Sequence, residues 1–371
     1  MRKTHAGYWF SILLFYIYFF ALSLLAVSML DSLDRYNPLT YTLVVAASYF
    51  ILSTIQTAIH EAGHLLFGLL SGWRFGSFRL YSWICLRENG KLRVKRSKIA
   101  GTAGQCLLIP PETEDGKTPY TLYNMGGVLL NLISAALLGA LGFALKDSAV
   151  ASFIAFVLAV QGLYSALLNG IPMRYAMVSN DGSNQRQMCK SPAARRSFRI
   201  QMQIMAQLAA GVRLRDMSEE WFVIPSDTEM QSNLTASLAA LACERLIDAH
   251  QFADAAALAK HIAEGNASLV GLAECQVACD RATAELLEGI CDGVPGYLNT
   301  RQMRQYMKAM RQSLTVLRTQ YICARLGEKN SKRAEAIRIQ FESRAKKHPY
   351  PVEADAEREL LSLADERAEN T

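Results

Sequence analysis

The side chains with the clearest chemical potential lie in one short segment, "HEAGH", from His60 to His64. On a helix, residues four positions apart share a face, so both imidazoles can reach one metal ion. Glu61 lies next to the first histidine, close enough to take a proton from a water molecule at that ion. Because zinc lowers the pKa of a bound water toward neutrality, the pattern predicts a zinc site that activates water. The alternative is a pair of polar helix residues that face the interior of a helix bundle.

A third metal ligand is expected, because a catalytic zinc usually has three protein ligands and one open position. The segment "NGIPMRYAMVSNDG", residues 169–182, supplies Asp181. The glycine that follows allows a backbone turn that could direct the carboxylate inward. We therefore predict that Asp181 binds zinc together with His60 and His64. The alternative is an ordinary surface turn built on this Asn-Asp-Gly sequence.

The histidines lie in one of four long apolar runs, each near the ~20 residues that a bilayer requires. The runs cover residues 8–30, a stretch beginning near Leu39 that contains the histidines, 126–145 and 149–170. A cleaved signal peptide is the alternative for the first run, but its apolar stretch is longer than a typical signal core. Charged and metal-binding side chains are costly in hydrocarbon, so their presence in such a run indicates function.

Composition divides the chain into an apolar part and a charged part. Of the 371 residues, 51% are hydrophobic and 19% are charged, and nearly all long apolar runs lie before residue 171. This distribution predicts a membrane part and a soluble part large enough to bury its own core. We expect a spanning helix over residues 1–35, a membrane core with the metal site over 36–190, and a cytoplasmic helical domain over 191–371.

Lysine and arginine are concentrated in the loop after the second apolar run. Residues 74–98 carry eight basic side chains against the single acid Glu88, and the N-terminus carries Arg2 and Lys3. By the positive-inside rule, this predicts a multi-pass protein of the cell membrane with both termini in the cytoplasm. The membrane-flanking residues explain much of the net charge of +6, so we expect no nucleic-acid partner.

Five of the eight cysteines lie in the C-terminal half, with no spacing typical of a disulfide framework. In a reducing compartment they are expected to be buried apolar side chains. Cys275 and Cys279, four positions apart on a predicted helix, could share a metal. No second pair accompanies them, which disfavours that interpretation.

The metal-site residues resemble those of the site-2 protease family of intramembrane zinc metalloproteases. That family pairs HExxH on one spanning helix with an aspartate in an Asn-Pro…Asp-Gly segment two helices later. His60, Glu61, His64 and Asp181 match those positions. In this chain Asn169 is followed by glycine, and twelve positions separate it from the aspartate, more than the family usually has.

The resemblance covers roughly residues 36–190. "GGVLLN" is similar to the family's Gly-x-x-x-Asn segment, with Asn131 as the matching asparagine, and "ENGKLRVKR" falls where the family has a membrane-associated β-hairpin. "AGTAGQCLLIPP" and "LYNMGG" further resemble a bacterial branch of the family. No PDZ-like insertion is visible.

The resemblance implies a zinc-dependent endopeptidase that cleaves a membrane protein or a membrane-anchored peptide precursor within the bilayer. Glu61 would be the general base and later the proton donor. Asn131 would position the substrate backbone or the oxyanion, or else form a hydrogen bond between helices. One alternative function is a membrane scaffold with a structural zinc and a partner-recruiting helical domain. Another is a membrane-anchored protease acting on soluble peptides at the cytoplasmic face.

The loop between the second and third apolar runs reads as a β-hairpin. Asn89-Gly90 is a strong hairpin turn, and Lys91, Arg93 and Lys95 alternate with apolar residues after it. An extended substrate could add to the edge of this hairpin by main-chain hydrogen bonds. The alternative is a plain solvated hairpin at the membrane surface.

From residue 191 the pattern is helical, with small residues where helices would cross. Tetratricopeptide-like helix pairs and an irregular helical bundle both fit this pattern, and the domain could offer a surface to a protein partner. The fold class predicted for the whole chain is mainly α. It comprises a polytopic bundle of about four spanning helices, a cytoplasmic β-hairpin insertion and a C-terminal all-α soluble domain.

Overall fold

The computed structural model describes residues 5–88, 91–96, 102–112, 118–173, 178–265 and 267–370. The fold is mainly helical with a small antiparallel sheet, which confirms the predicted class at that level. The chain forms two compact units. The first combines Met1–Leu80 with Ala103–Arg186, and the second combines Tyr81–Thr102 with Gln187–Thr371.

The first unit contains helices that are long and apolar enough to cross a membrane. The four candidate spans are Trp9–Ser32, Pro38–Leu70, Tyr120–Ala144 and Ala149–Gly170. The third begins six residues before the predicted 126, because its first turns carry polar residues that the apolar pattern did not include. Among them, Asn124 is buried, and its side chain hydrogen-bonds to protein atoms.

The helices of this unit are α1 (His5–Ser32), α2 (Pro38–Ala47), α3 (Ser53–Leu70), α4 (Tyr120–Ala144) and α5 (Ala149–Gly170). Asn37 caps α2 by accepting a hydrogen bond from the Thr40 N–H at 2.8 Å, and Pro38 occupies the first turn. A π-helical turn, Ser48–Leu52, joins α2 to α3 without a break. Such widened turns occur often at functional sites because they change which face the following side chains occupy.

Each candidate span leaves large apolar side chains exposed. Trp9 is 63% exposed, Phe50 69%, Phe143 73% and Val150 49%, one from each span. So much exposed apolar surface suits hydrocarbon surroundings and would be costly in water. The inward face of α1 instead packs on α5, where the Tyr18 hydroxyl donates to Gln161 Oε1 at 2.7 Å.

Four strands form two antiparallel pairs. In the first unit, β1 (Arg74–Leu80) pairs with β4 (Gly104–Ile109). In the second, β2 (Trp83–Glu88) pairs with β3 (Lys91–Arg96), which gives the predicted hairpin; its turn, Asn89-Gly90, lies outside the described residues. The strand β4, a short run of mixed character that follows the hairpin, was not predicted from the sequence.

The helix α6 (Asp181–Lys190) begins in the first unit and ends in the second. The remaining helices are α7 (Pro192–Ala209), α8 (Asn233–Asp248), α9 (Phe252–Glu264), α10 (Gly271–Glu288), α11 (Arg301–Ala309), α12 (Leu314–Ile322), α13 (Ser331–Ala345) and α14 (Pro351–Glu369). Small buried side chains such as Ala239, Ala259 and Ala282 let α8, α9 and α10 pack closely. A tetratricopeptide-like arrangement stays a prediction.

Candidate metal centre

His60, His64 and Asp181 converge in the first unit, although more than a hundred residues separate the histidines from the aspartate. The Nε2 atoms of the two histidines lie 3.2 Å apart. Asp181 Oδ2 lies 3.1 Å from the first of these nitrogens and 3.4 Å from the second. Both histidines are buried, at 8% and 9% exposure. The three atoms therefore form a compact triangle inside the protein.

A chain of hydrogen bonds fixes which nitrogen of His60 carries the proton. Gln56 Nε2 lies 2.7 Å from the backbone oxygen of Leu158, which can only accept, so Gln56 Oε1 must face Asn131. Asn131 must then donate to Gln56 through Nδ2, at 2.8 Å, and present Oδ1 to His60 Nδ1 at 2.7 Å. That contact requires a proton on Nδ1. The lone pair of Nε2 is left facing the triangle.

His64 also carries its proton on Nδ1, and its partner is a backbone oxygen. Its Nδ1 lies 2.9 Å from the carbonyl oxygen of Tyr123, so Nδ1 donates and Nε2 is left with a lone pair. Asp181 Oδ2 is buried and has no hydrogen-bond partner among the described residues. With both imidazoles neutral, three electron-rich atoms thus face one another, an arrangement that a metal ion or an added proton makes favourable.

The donor set fits zinc. Two neutral imidazole nitrogens and one carboxylate oxygen are a known three-ligand set for a catalytic zinc with an open fourth position. Metal–ligand distances of about 2.0–2.2 Å imply tetrahedral ligand–ligand spacings of roughly 3.4 Å. The observed spacings of 3.1, 3.2 and 3.4 Å are close to that value. Histidine ligands typically donate their other N–H to a carbonyl or carboxamide oxygen, as both do here.

Asp181 is the first residue of α6, and the preceding Asn180 determines its position. The Asn180 side chain accepts from the backbone N–H groups of Ser183 and Met173, each at 2.9 Å. Its Nδ2 donates to backbone oxygens at the end of α5, at 2.7 and 2.6 Å. This buried amide therefore joins the start of α6 to the end of the last candidate span, which compensates for the long Asn169-to-Asp181 segment.

The carboxylate of Asp181 is in its anionic form. Burial alone would raise its pKa, but in the metal-free state protonation of the neighbouring imidazoles, His64 above all, supplies a positive charge that holds that pKa well below its usual range. An ionised carboxylate is the form that binds a metal. Asn124 supports the same residue by donating to its backbone oxygen at 2.9 Å.

Glu61 lies against the strand β4. It is 7% exposed, and a Cβ added at Gly104 would overlap its carboxylate. The backbone oxygen of Gly104 in turn accepts from Arg79 Nη2 at 3.2 Å. Only glycine therefore leaves room at this position for the Glu61 carboxylate beside the histidines. A second glycine, Gly127 on α4, is required in the same way by the ring of His60.

Sequence reasoning missed several residues that build this site. Gln56, His60 and His64 are spaced by four and share one face of α3, so the signal for Gln56 was present. Asn180 precedes a helix in a sequence typical of a cap, a second usable signal. No pattern indicated Tyr123, because it contributes only a backbone oxygen. Asn131 is 0% exposed, and its amide contacts His60 and Gln56.

No family model, curated protein or solved structure matches the chain.

Proposed function

We propose that the protein is a zinc-dependent intramembrane endopeptidase. The observation that carries this proposal is the convergence of two imidazole lone pairs and the Asp181 carboxylate next to Glu61. The apolar character of the helix that bears both histidines supports placement of the site within a bilayer. A buried charged cluster is costly in hydrocarbon, and a metal that binds all three ligands offsets that cost.

In this proposal His60, His64 and Asp181 hold the zinc. When bound, zinc supplies a Lewis acid that polarises a carbonyl and lowers the pKa of water. Asn131 and the Tyr123 carbonyl orient the two imidazoles by accepting from their Nδ1–H groups. Because its amide is already occupied by His60 and Gln56, we assign Asn131 to orienting the ligand rather than to contacting substrate.

Glu61 is the general base of the proposed reaction. It accepts a proton from the attacking water and later returns it to the amine of the leaving peptide. The burial of Glu61 and its contact with Gly104 keep the carboxylate in one orientation. A positioned base of this kind would have no use in a purely structural zinc site, which is why the scaffold alternative ranks second.

The proposed substrate is a membrane protein or a membrane-anchored peptide whose scissile segment becomes extended. A helical peptide bond is shielded by its own hydrogen bonds, so cleavage requires the segment to unwind. The strand in contact with Glu61 is β4, which pairs with β1 on one side. Among the described strands none pairs with its other edge, and an extended substrate could add there by main-chain hydrogen bonds.

The proposed location is the cell membrane, with both termini in the cytoplasm. The basic residues after the second span motivate this orientation. A reporter fused after Asp31 should read as external and one fused after Asn184 as cytoplasmic. A cytoplasmic signal at Asp31 would mean that the first helix does not span the membrane or that the orientation is inverted.

The test of the proposal separates metal binding from chemistry. Glu61→Gln should keep about one zinc per chain while peptide hydrolysis falls by a hundred- to ten-thousand-fold, because only the proton acceptor is lost. An uncut membrane substrate should co-purify with this variant from native membranes and not with the wild-type protein. His60→Ala should instead lose the metal and the activity together.

The matched control is Glu112→Gln, which removes an exposed carboxylate of the same unit and should change neither zinc content nor hydrolysis. If Glu61→Gln leaves every cleavage unchanged, the endopeptidase proposal is wrong and the scaffold function becomes the better account. If Asp181→Ala retains full zinc, the third ligand is another residue, and the assignment of Asp181 fails while the class of reaction stands.

A further inference from the structure

The second unit encloses a cavity of about 210 Å³ among helices α8, α10, α12 and α14. Its lining includes the apolar side chains of Leu208, Leu214, Leu314 and Leu360. The polar part is dominated by carboxylates from three different helices, with one buried guanidinium among them. The lining carries the acids Glu244, Asp248, Asp280, Glu353 and Glu357 and the arginines Arg213 and Arg318. Arg213 forms an ion pair with Asp248. None of these residues belongs to the metal centre.

The guanidinium of Arg318 serves two of these carboxylates. It donates from Nη2 to Asp280 Oδ1 at 2.7 Å, and its Nη1 lies 3.1 Å from Glu357 Oε2. Arg318 is 4% exposed and Asp280 is 1% exposed. Arg318 stays positively charged, because the neighbouring carboxylates raise its pKa further despite burial. One fixed positive charge therefore faces several acidic groups.

Not every carboxylate oxygen in the cavity has a partner. Asp280 Oδ2 is buried and lacks a hydrogen-bond partner among the described residues. Glu244 accepts a single hydrogen bond, from Gln276 Nε2 at 2.7 Å. Glu353 lies 3.7 Å from His348 Nε2, beyond hydrogen-bonding distance, and its side chain is 33% exposed, so water reaches it while Asp280 Oδ2 is the buried, unpaired acceptor. A buried oxygen left unpaired is costly, so the lining is short of positively charged or donating groups.

The ionisation of the cavity agrees with this shortage. Burial raises the pKa of Glu353 to about 8, and the charge of Glu357 adds to the effect. Burial and the nearby Asp280 likewise raise the pKa of Glu244 well above its usual value. The second arginine of the lining, Arg213, is paired with Asp248 and Glu359 and leaves Glu244 and Glu353 without a cationic partner of their own.

We propose that this cavity binds an aliphatic ammonium group. The ammonium would donate to the buried, unpaired Asp280 Oδ2, and the carboxylates of Glu244 and Glu353 would add negative charge to its surroundings. Its alkyl stem would lie along the apolar lining formed by Leu208, Leu214, Leu314 and Leu360. A volume of about 210 Å³ equals roughly seven water molecules, the size of a short alkyl amine. This inference does not depend on the proposed zinc chemistry.

The geometry favours an organic cation over a metal ion. Among the described residues, the group of three side chains whose ligand atoms lie close enough to share an ion is that of His60, His64 and Asp181. The carboxylates of the cavity do not form such a group. Its apolar lining also suits an alkyl stem, for which a hydrated divalent cation has no counterpart.

The experiment is isothermal titration calorimetry on the purified full chain with 1,5-diaminopentane at neutral pH. We expect saturable binding at one site, with no binding of pentane-1,5-diol, which has the same length and no charge. Repeating the titration in two buffers of different ionisation enthalpy should reveal proton release, because the bound ammonium favours the charged form of Glu353. A second ligand, lysine capped at both ends, distinguishes a peptide side chain from a free diamine as the natural source.

Asp280→Asn and Glu353→Gln should each weaken binding of 1,5-diaminopentane by about ten- to a hundredfold, the usual range for losing a charged hydrogen bond. Glu353→Gln should also reduce the proton release. Glu366→Gln, an exposed carboxylate on the same helix, is the matched control and should leave both unchanged. If Asp280→Asn does not fold, Glu353→Gln decides the question.

Three results would overturn the proposal. The first is the absence of saturable binding by both amines at neutral and at mildly alkaline pH. The second is binding that neither substitution weakens, since the site would then lie elsewhere. The third is binding of Ca²⁺ or Mg²⁺ that the same substitutions remove, without binding of either amine. The proposal is supported if capped lysine or the free diamine binds and the substitutions weaken that binding. Which of the two binds identifies a peptide side chain or a free amine as the natural ligand.

Discussion

Both units of the protein bury polar groups, but they satisfy them in different ways. At the metal centre, hydrogen bonds that end on the backbone oxygens of Leu158 and Tyr123 fix both imidazoles. The two Nε2 atoms and Asp181 Oδ2, which these hydrogen bonds leave free, lie close enough together to share one ion. In the cavity of the second unit, Arg318 is shared between Asp280 and Glu357, and the remaining acceptors do not form a group that shares a metal ion.

The difference indicates two kinds of ligand. A convergent set of two nitrogens and one oxygen suits a metal ion with defined coordination. A dispersed set of carboxylates around an apolar wall suits a cation with several donors and an alkyl stem. Each of the two sites therefore leaves an acceptor without a positively charged partner, and the geometry of its acceptors favours a different kind of cation.

Among the changes that test this comparison, Arg318→Met is expected to have the largest effect, a loss of stability in the second unit. Removing the guanidinium leaves Asp280 and Glu357 without their buried partner, which typically costs about 3–5 kcal/mol. Hydrogen exchange on the full chain should show that loss in the free energy of opening of α10 and α12, while α4 is unaffected. Arg311→Met removes an exposed arginine and is the control. Unchanged protection in α10 would mean that Arg318 does not offset the buried carboxylates.

A smaller effect is expected at the metal centre from Asn131→Ala. The substitution removes the acceptor for His60 Nδ1, and loss of such a partner typically weakens metal binding by ten- to a hundredfold. Hydrolysis measured at saturating zinc should remain close to that of the wild-type protein. The control is Ser134→Ala, a half-buried position one turn along the same helix.

The same variant separates the two roles considered for Asn131. If this residue positions the substrate or the oxyanion, zinc affinity should stay unchanged and the rate at saturating zinc should fall. A rate loss with full zinc affinity would therefore reject the orienting role. A titration of zinc against activity measures both quantities in one experiment.

The metal ligands could be predicted because most of their geometry is local. His60 and His64 share a helix face at a spacing of four, and the helix alone brings their nitrogens together. Asp181 could be predicted with one further step, because it follows the end of the fourth span at a depth in the membrane that the second span also reaches. The apolar runs likewise predicted the fourth candidate span with its observed bounds, Ala149–Gly170, because length and composition determine such a helix.

The ion-pair cluster of the second unit and the strand β4 depend on contacts between residues that are far apart in sequence. No spacing in a single sequence indicates such contacts. Asp280, Arg318 and Glu357 lie on three helices and form an ion-pair cluster only after packing. Each alone resembles an ordinary surface charge. β4 was missed for a related reason, since Gly104 to Ile109 becomes a strand through its pairing with β1.

The smallest expected effect concerns the pH dependence of the second unit. The pKa of Glu353 is raised from 4.5 to about 8 by burial, so between those values the folded state binds more protons than the unfolded state. Stability should therefore fall as the pH rises through this window.

His348 opposes this fall near pH 6.5, because its pKa is lowered in the folded state while the unfolded imidazole still titrates there. The raised pKa of Glu244 and that of Asp280, about 6, add to the fall above pH 6.5. Glu342 and Glu359, whose pKa values are lowered, are already ionised there.

Thermal unfolding of the full chain between about pH 6.5 and 8.5 measures this dependence. Glu353→Gln should flatten the decline, because a glutamine has no proton to lose on the alkaline side. Some slope should remain from Glu244, whose pKa is raised by burial in the same cavity. Glu366→Gln should keep the full decline. Adding 1,5-diaminopentane should restore stability at the alkaline end, where the carboxyls are charged and a cation can bind them. A wild-type midpoint that rises with pH across this range would contradict the assignment of a raised pKa to Glu353.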